Sequence, residues 1–289
     1  MSSRSGPSHH GKTAVEKATP RRITRNGPPG AGGLTMLTIA QVLELATQHR
    51  LAGRLARAEQ LCHEVLRVDS RNAKAMLLLG VLAQQAGRGD LAVEYLSQAS
   101  RIEPDDAETH YNLANALLRL GRSEEAAASF ERALRIKPSF GEAQSNLGIA
   151  LLQQGKAAAA VACFERALLQ RPDDPQAQSN LGVALLRQKR PKEAAARFQE
   201  ALRKRPNVAE LHANLGMALA EQGNLKEAEA CYRQALRLKP DDVAVYSDLG
   251  ATLAEQGNLS EAEACYRQAL RLRPDYAEVH TNLAYACLL

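Results

Sequence analysis

The sequence predicts an all-α chain in which a 34-residue helix–turn–helix unit repeats end to end. Three observations carry that prediction. Pro104, Pro138, Pro172, Pro206, Pro240 and Pro274 are spaced by 34 residues without exception. Gly53, Gly87, Gly121, Gly155, Gly223 and Gly257 recur in the same register. The composition is that of helices, with Ala, Leu, Gln, Glu and Arg dominant, no Trp and only 4% aromatics. Such a core has to be built from Leu and Ala rather than rings. A fixed period of this length marks an array whose members bury one another.

The first element is a leader. Residues 1–35 are rich in Ser, Gly, Pro and Arg and read as a disordered basic tail. Six bases (Arg4, Lys12, Lys17, Arg21, Arg22, Arg25) face one acid, Glu16, so the net charge of +5 belongs to this segment and the body is neutral. The tail lacks interleaved aromatics, which argues against nucleic acid as its partner. Its GPPGAGG at 27–33 lacks the Lys-Ser or Lys-Thr of a phosphate loop and reads as a linker.

The repeats occupy 39–289 as units 39–72, 73–106, 107–140, 141–174, 175–208, 209–242 and 243–276, with a partial unit at 277–289. Within each, a first helix is expected near positions 2–14 and a second near 18–30. Glycine at position 15 can take positive φ and end the first helix. Unit 175–208 has Lys189 there, so a left-handed lysine is expected, with Pro191 in the first turn of the next helix. Asn224 and Asn258, three residues before Glu227 and Glu261, suggest capping boxes. Proline at position 32 forbids continuation. Small residues at position 8 and alanine at position 20 predict close helix approach, and Phe130, Phe164, Phe198, Tyr232 and Tyr266 at position 24 are expected to fill space between units.

Positions 4, 7, 8 and 11 form the expected buried face, while 2, 6, 9 and 13 share a neighbouring face. Asparagine, a poor helix former, keeps returning at position 6: Asn112, Asn146, Asn180, Asn214 and Asn282, with Asp248 in the series. A carboxamide donates and accepts as a peptide bond does, so a row of them could hold an extended peptide by its backbone. The alternative is that each bonds a neighbouring helix or its own preceding turn.

Other chemistry is thin. His110, His212 and His280 all stand at position 4, units apart, and read as packing or surface groups rather than a metal site. Cys62, Cys163, Cys231, Cys265 and Cys287 are odd in number and dispersed, as expected of reduced thiols in a cytoplasmic protein. No Ser-His-Asp or Cys-His spacing stands out, so no enzyme activity and no cofactor are expected. No apolar run spans a membrane.

The period and the small, large and proline positions over 39–289 resemble the tetratricopeptide repeat family, although its usual tryptophan at position 4 is replaced by Met76, His110, Gln144 and Gln178. That resemblance implies a right-handed α-solenoid whose first helices line a concave groove, a non-catalytic scaffold for a protein or peptide segment. The peptide-binding positions would be Asn112, Asn146, Asn180, Asn214, Asp248 and Asn282. Within the family the NLG-bearing units look like the repeat arm of O-linked N-acetylglucosamine transferases of the SPINDLY type. The chain would then be the substrate-recognition arm of a glycosyltransferase whose catalytic domain lies outside it. The chaperone-tail clamp of related proteins is missing: Tyr111, Gln176 and Asn180 stand where its Lys and Arg should be. At 277–289 a first helix lacks its partner, and Leu283, Ala284, Cys287 and Leu288 are expected to face solvent. Truncation of a longer chain, docking on a partner or self-association would each account for that.

Overall fold

A computed structural model describes Ile23–Thr24 and residues 37–288. Residues 1–22 and 25–36, which include most of the segment read as a tail, lie outside the described residues. Ile23–Thr24 (β1) pairs in parallel with Leu37–Thr38 (β2), just ahead of the first helix.

Seven hairpins and one further helix follow: α1 (Ile39–Leu51) and α2 (Leu55–Val68), α3 (Ala73–Gln85) and α4 (Gly89–Ile102), α5 (Ala107–Arg119) and α6 (Ser123–Ile136), α7 (Gly141–Gln153) and α8 (Ala157–Gln170), α9 (Pro175–Arg187) and α10 (Pro191–Lys204), α11 (Ala209–Ala220) and α12 (Leu225–Leu238), α13 (Val243–Glu255) and α14 (Leu259–Leu272), then α15 (Ala277–Leu288). Each first helix from α3 to α13 packs on its own second helix and on the second helix of the preceding unit. Successive first helices also touch, from α1 with α3 to α13 with α15, whereas no two successive second helices make a comparable contact. The stack therefore curves with its first helices inside, as an α-solenoid.

The turn inside each hairpin closes the same way. The N–H at position 16 donates to the carbonyl at position 11 over 2.8–3.0 Å in all seven units, a Schellman-type closure. Position 15 is left-handed, at φ +72° to +82° for the six glycines and +59° for Lys189, as expected. Pro191 opens α10, also as expected.

The predicted capping boxes do not form. Asn224 and Asn258 make no side-chain bond to the helices they precede. The closure above holds them at ψ near +60°, away from the extended conformation that brings a capping side chain to the N2 or N3 amide. Caps sit instead on the first helices, where Thr38, Asn72, Asp106, Asp174 and Asp242 at ψ +99° to +158° accept backbone N–H groups.

The core repeats with the hairpin. All seven position-20 alanines are fully buried. The position-24 side chain rests on position 8 of its own unit. A Cβ placed on Gly148, Gly182, Gly216 or Gly250 would come within 2.6–2.8 Å of the ring of Phe164, Phe198, Tyr232 or Tyr266, respectively. Glycine at position 8 thus makes room for a ring. The buried face is also wider than expected. From Ala75 and Leu82 onward, positions 3 and 10 are buried too, because each first helix lies between two second helices. Position 4 is buried only as far as Gln144.

Candidate functional site: the inner face of the first helices

Along the first helices the side chains at position 2 are exposed from Ala40 to Glu278 and those at position 13 from Leu51 to Glu255, and those at position 6 are half-buried from Leu78 onward. All six predicted site residues (Asn112, Asn146, Asn180, Asn214, Asp248 and Asn282) are half-buried. Position-6 side chains of three successive units meet at one place. Glu44, Leu78 and Asn112 line a depression of about 500 Å³, together with Thr47 and Val81 from position 9 and Lys74 and Glu108 from position 2.

The six differ in what they already hold. Asn112 Nδ2 donates to the Glu108 carbonyl in its own preceding turn, at 2.9 Å. Asn146 Nδ2 donates across to Asn115 Oδ1 at 2.8 Å and approaches the Tyr111 hydroxyl at 3.4 Å. Asn180 Oδ1 accepts from Gln176 Nε2 at 3.2 Å. These three fit the alternative in which the asparagine serves its own scaffold. Among the described residues, the side chains of Asn214, Asp248 and Asn282 have no hydrogen-bond partner. Burial, aided by the charges of Glu278 and Asp242, pushes the Asp248 carboxyl up from 3.8 to about 6.

The polar residues set aside by the sequence have structural work. The ring Nε2 of His110, His212 and His280 lies 2.8–2.9 Å from the carbonyl of Pro104, Pro206 and Pro274, tying position 4 to the proline that closes the preceding unit. Burial pushes the Cys62 thiol up to about 12 and raises Cys163, Cys231 and Cys265, which disfavours the nucleophilic thiolate at each. A role the sequence analysis missed belongs to position 14. Gln154, Gln222 and Gln256 donate to the carbonyls of Ser123, Pro191 and Leu225, opening the second helix of the preceding unit, at 2.8–3.2 Å. The signal was present, as glutamine fills position 14 in four successive units. In α15, Leu283 is half-buried against the core rather than solvent-facing, whereas Ala284 is exposed as expected; the side chains of Cys287 and Leu288 lie outside the described residues.

Among the described residues no three His, Cys, Asp or Glu converge as metal ligands, and no helix is long and apolar enough to cross a membrane.

Comparison with known proteins places this geometry. No curated protein matches the chain. Solved structures do. A chain of the APC/C hetero-tetramer Cut9–Hcn1 superposes at a TM-score of 0.65 with 19% identity, covering 86% of this chain and 52% of its own, so this chain spans about half the length of that one. YrrB, described as a TPR protein with an unusual peptide-binding site, gives a TM-score of 0.57 with 25% identity over 68% of this chain and 100% of its own. A tetratricopeptide repeat protein from Parabacteroides merdae gives 0.63 with 16% identity, over 86% and 98%. Tetratricopeptide repeat profiles match residues 43–107, 82–139 and 145–207, then 185–253 and 252–288. These profiles describe the repeat in general and do not single out the glycosyltransferase arm. The repeats account for most of the sequence, and the chain belongs to the tetratricopeptide repeat family.

Proposed function

We propose that the chain is a non-catalytic scaffold that holds an extended segment of another protein along the inner face of its first helices. The carboxamides at position 6 would grip the segment's backbone. The observation that carries this reading is the half-buried line of position-6 side chains from Asn112 to Asn282, in which Asn214, Asp248 and Asn282 have no hydrogen-bond partner among the described residues. An amide that is half-buried and unbonded gains most when a peptide N–H or C=O arrives, because its partial desolvation has already occurred. YrrB, at 25% identity, is described as binding peptide, which supports the same use of this fold. The mild side chains of Ile149, Val183, Met217 and Ala251 beside the amides suit a site that reads backbone rather than sequence.

The test is capture of an uncharged, unfolded peptide of Ala, Ser, Thr and Gln by the full chain. In Asn180→Ala/Asn214→Ala/Asn282→Ala, binding should fall by at least about tenfold with helicity unchanged. Undiminished capture by that variant would retire the proposal.

A further inference from the structure

The inner face turns from mixed charge to acidic along the chain. Position 13 reads Arg119, Gln153 and Arg187, then Glu221 and Glu255. In units 209–242, 243–276 and 277–289, positions 2, 6 and 13 supply Glu210, Glu221, Asp248, Glu255 and Glu278, with no Lys or Arg among them. Of these, Glu221 faces Lys189 across 3.9 Å, and Glu278 accepts from the Tyr276 hydroxyl at 3.5 Å. Asp248 is half-buried, and its carboxylate has no hydrogen-bond partner among the described residues.

A second change coincides with the first. Position 24 is Phe in units 107–140, 141–174 and 175–208, and becomes Tyr232 and Tyr266 in the two units that follow. Both tyrosines are 98% buried, their rings seated on Gly216 and Gly250 as the phenylalanines are seated earlier. Each therefore carries into the same packing a hydroxyl that the core does not need. Neither hydroxyl has a hydrogen-bond partner among the described residues. That of Tyr232 lies within the field of Glu221, Asp248 and Glu255 together, residues of the inner face from two successive units, and Tyr266 feels Glu255. The charges of that acidic stretch thus bear on the Tyr232 hydroxyl.

We infer that the stretch from Glu221 to Asn282 takes a cationic segment, an extended peptide of a partner protein that presents Lys or Arg side chains to Asp248 and Glu255. The inference rests on the groove being a peptide site, and adds which peptides it prefers. A guanidinium brings five donors and no acceptor, which matches carboxylates and tyrosine oxygens that lack donors. Charge-assisted bonds to a carboxylate already withdrawn from water are the strong kind. Asn214 and Asn282 flank Asp248 at the same register and would hold the backbone on either side of the charged contact.

The experiment compares two peptides on the full chain: an Ala/Ser/Thr/Gln peptide with several Arg residues, and the same peptide with citrulline at those positions, alike in shape but uncharged. The Arg peptide should bind at least about tenfold more tightly at low salt, with the advantage shrinking as salt rises. Asp248→Asn/Glu255→Gln should abolish the difference between the two peptides. Tyr232→Phe should reduce the Arg preference severalfold without loss of helicity. Equal affinities for the two peptides, or a preference untouched by the double variant, would overturn the charge preference alone. Binding of neither peptide would overturn it together with the groove reading.

Discussion

The inner face over units 107–208 and the inner face from residue 209 onward rest on the same hairpin. Turn closure, left-handed position 15, buried position-20 alanine and ring-on-glycine packing continue through both. What they present differs. In the first region Asn112, Asn146 and Asn180 are occupied by neighbouring groups of the chain, the position-24 ring is Phe, and the rim charges are mixed. In the second, Asn214, Asp248 and Asn282 are unbonded, the ring is Tyr, and the rim is acidic. Stability is invested in the repeat, and the surface is free to diverge over it. The same asparagine register can therefore serve the scaffold in one place and stand open in another.

If the core is common to both regions, emptying it should cost alike in each. Phe164→Ala and Tyr232→Ala should both destabilise by about 3–5 kcal/mol, measured by chemical denaturation. A loss confined to one of them would mean that the two regions are not built alike.

The next effect separates the regions by pH. The Asp248 carboxyl is raised from 3.8 to about 6, so the folded chain carries a penalty that is absent well below pH 4, grows as pH rises towards 6 and levels off just above it. Asp248→Asn should stabilise by about 1–3 kcal/mol at neutral pH, with the gain vanishing below pH 4. Asparagine is what the neighbouring units already hold at that register, so the variant should pack without strain.

Lys189 sits at the boundary, left-handed where six units have glycine. Lys189→Gly should stabilise by about 1 kcal/mol, the relief of a side chain at positive φ set against the added freedom of the unfolded chain.

The smallest effect is the most discriminating. Asn146→Ala removes an inter-unit bond and should cost about 0.5–1.5 kcal/mol. Asn214→Ala removes none and should leave stability within about 0.5 kcal/mol. Equal losses would put both amides to the same use and erase the contrast.

Much of the fold was legible because a solenoid writes its geometry into a period. The prolines at position 32, the glycines at 15 and even the left-handed Lys189 were readable one by one, since each answers to local backbone sterics. The errors arose where neighbours decide. Asn224 and Asn258 look like caps in isolation, but the preceding turn holds their backbones outside capping geometry. That each position-24 ring rests on position 8 of its own unit went unread, because nothing local says which helix that glycine faces. The position-6 line could be drawn from periodicity, but its division into occupied and open amides depends on Glu108, Asn115 and Gln176 lying within reach, which spacing alone does not reveal.

The central claim is that a client segment lies along the inner face. A photo-crosslinking residue placed at Met217 on that face, and separately at Leu238 at the end of a second helix, tests it directly; both side chains are exposed to a similar degree, 39% and 36%. With the uncharged peptide as probe, crosslinks should form from position 217 and not from position 238. Equal yields at both, or crosslinks from 238 alone, would contradict the account.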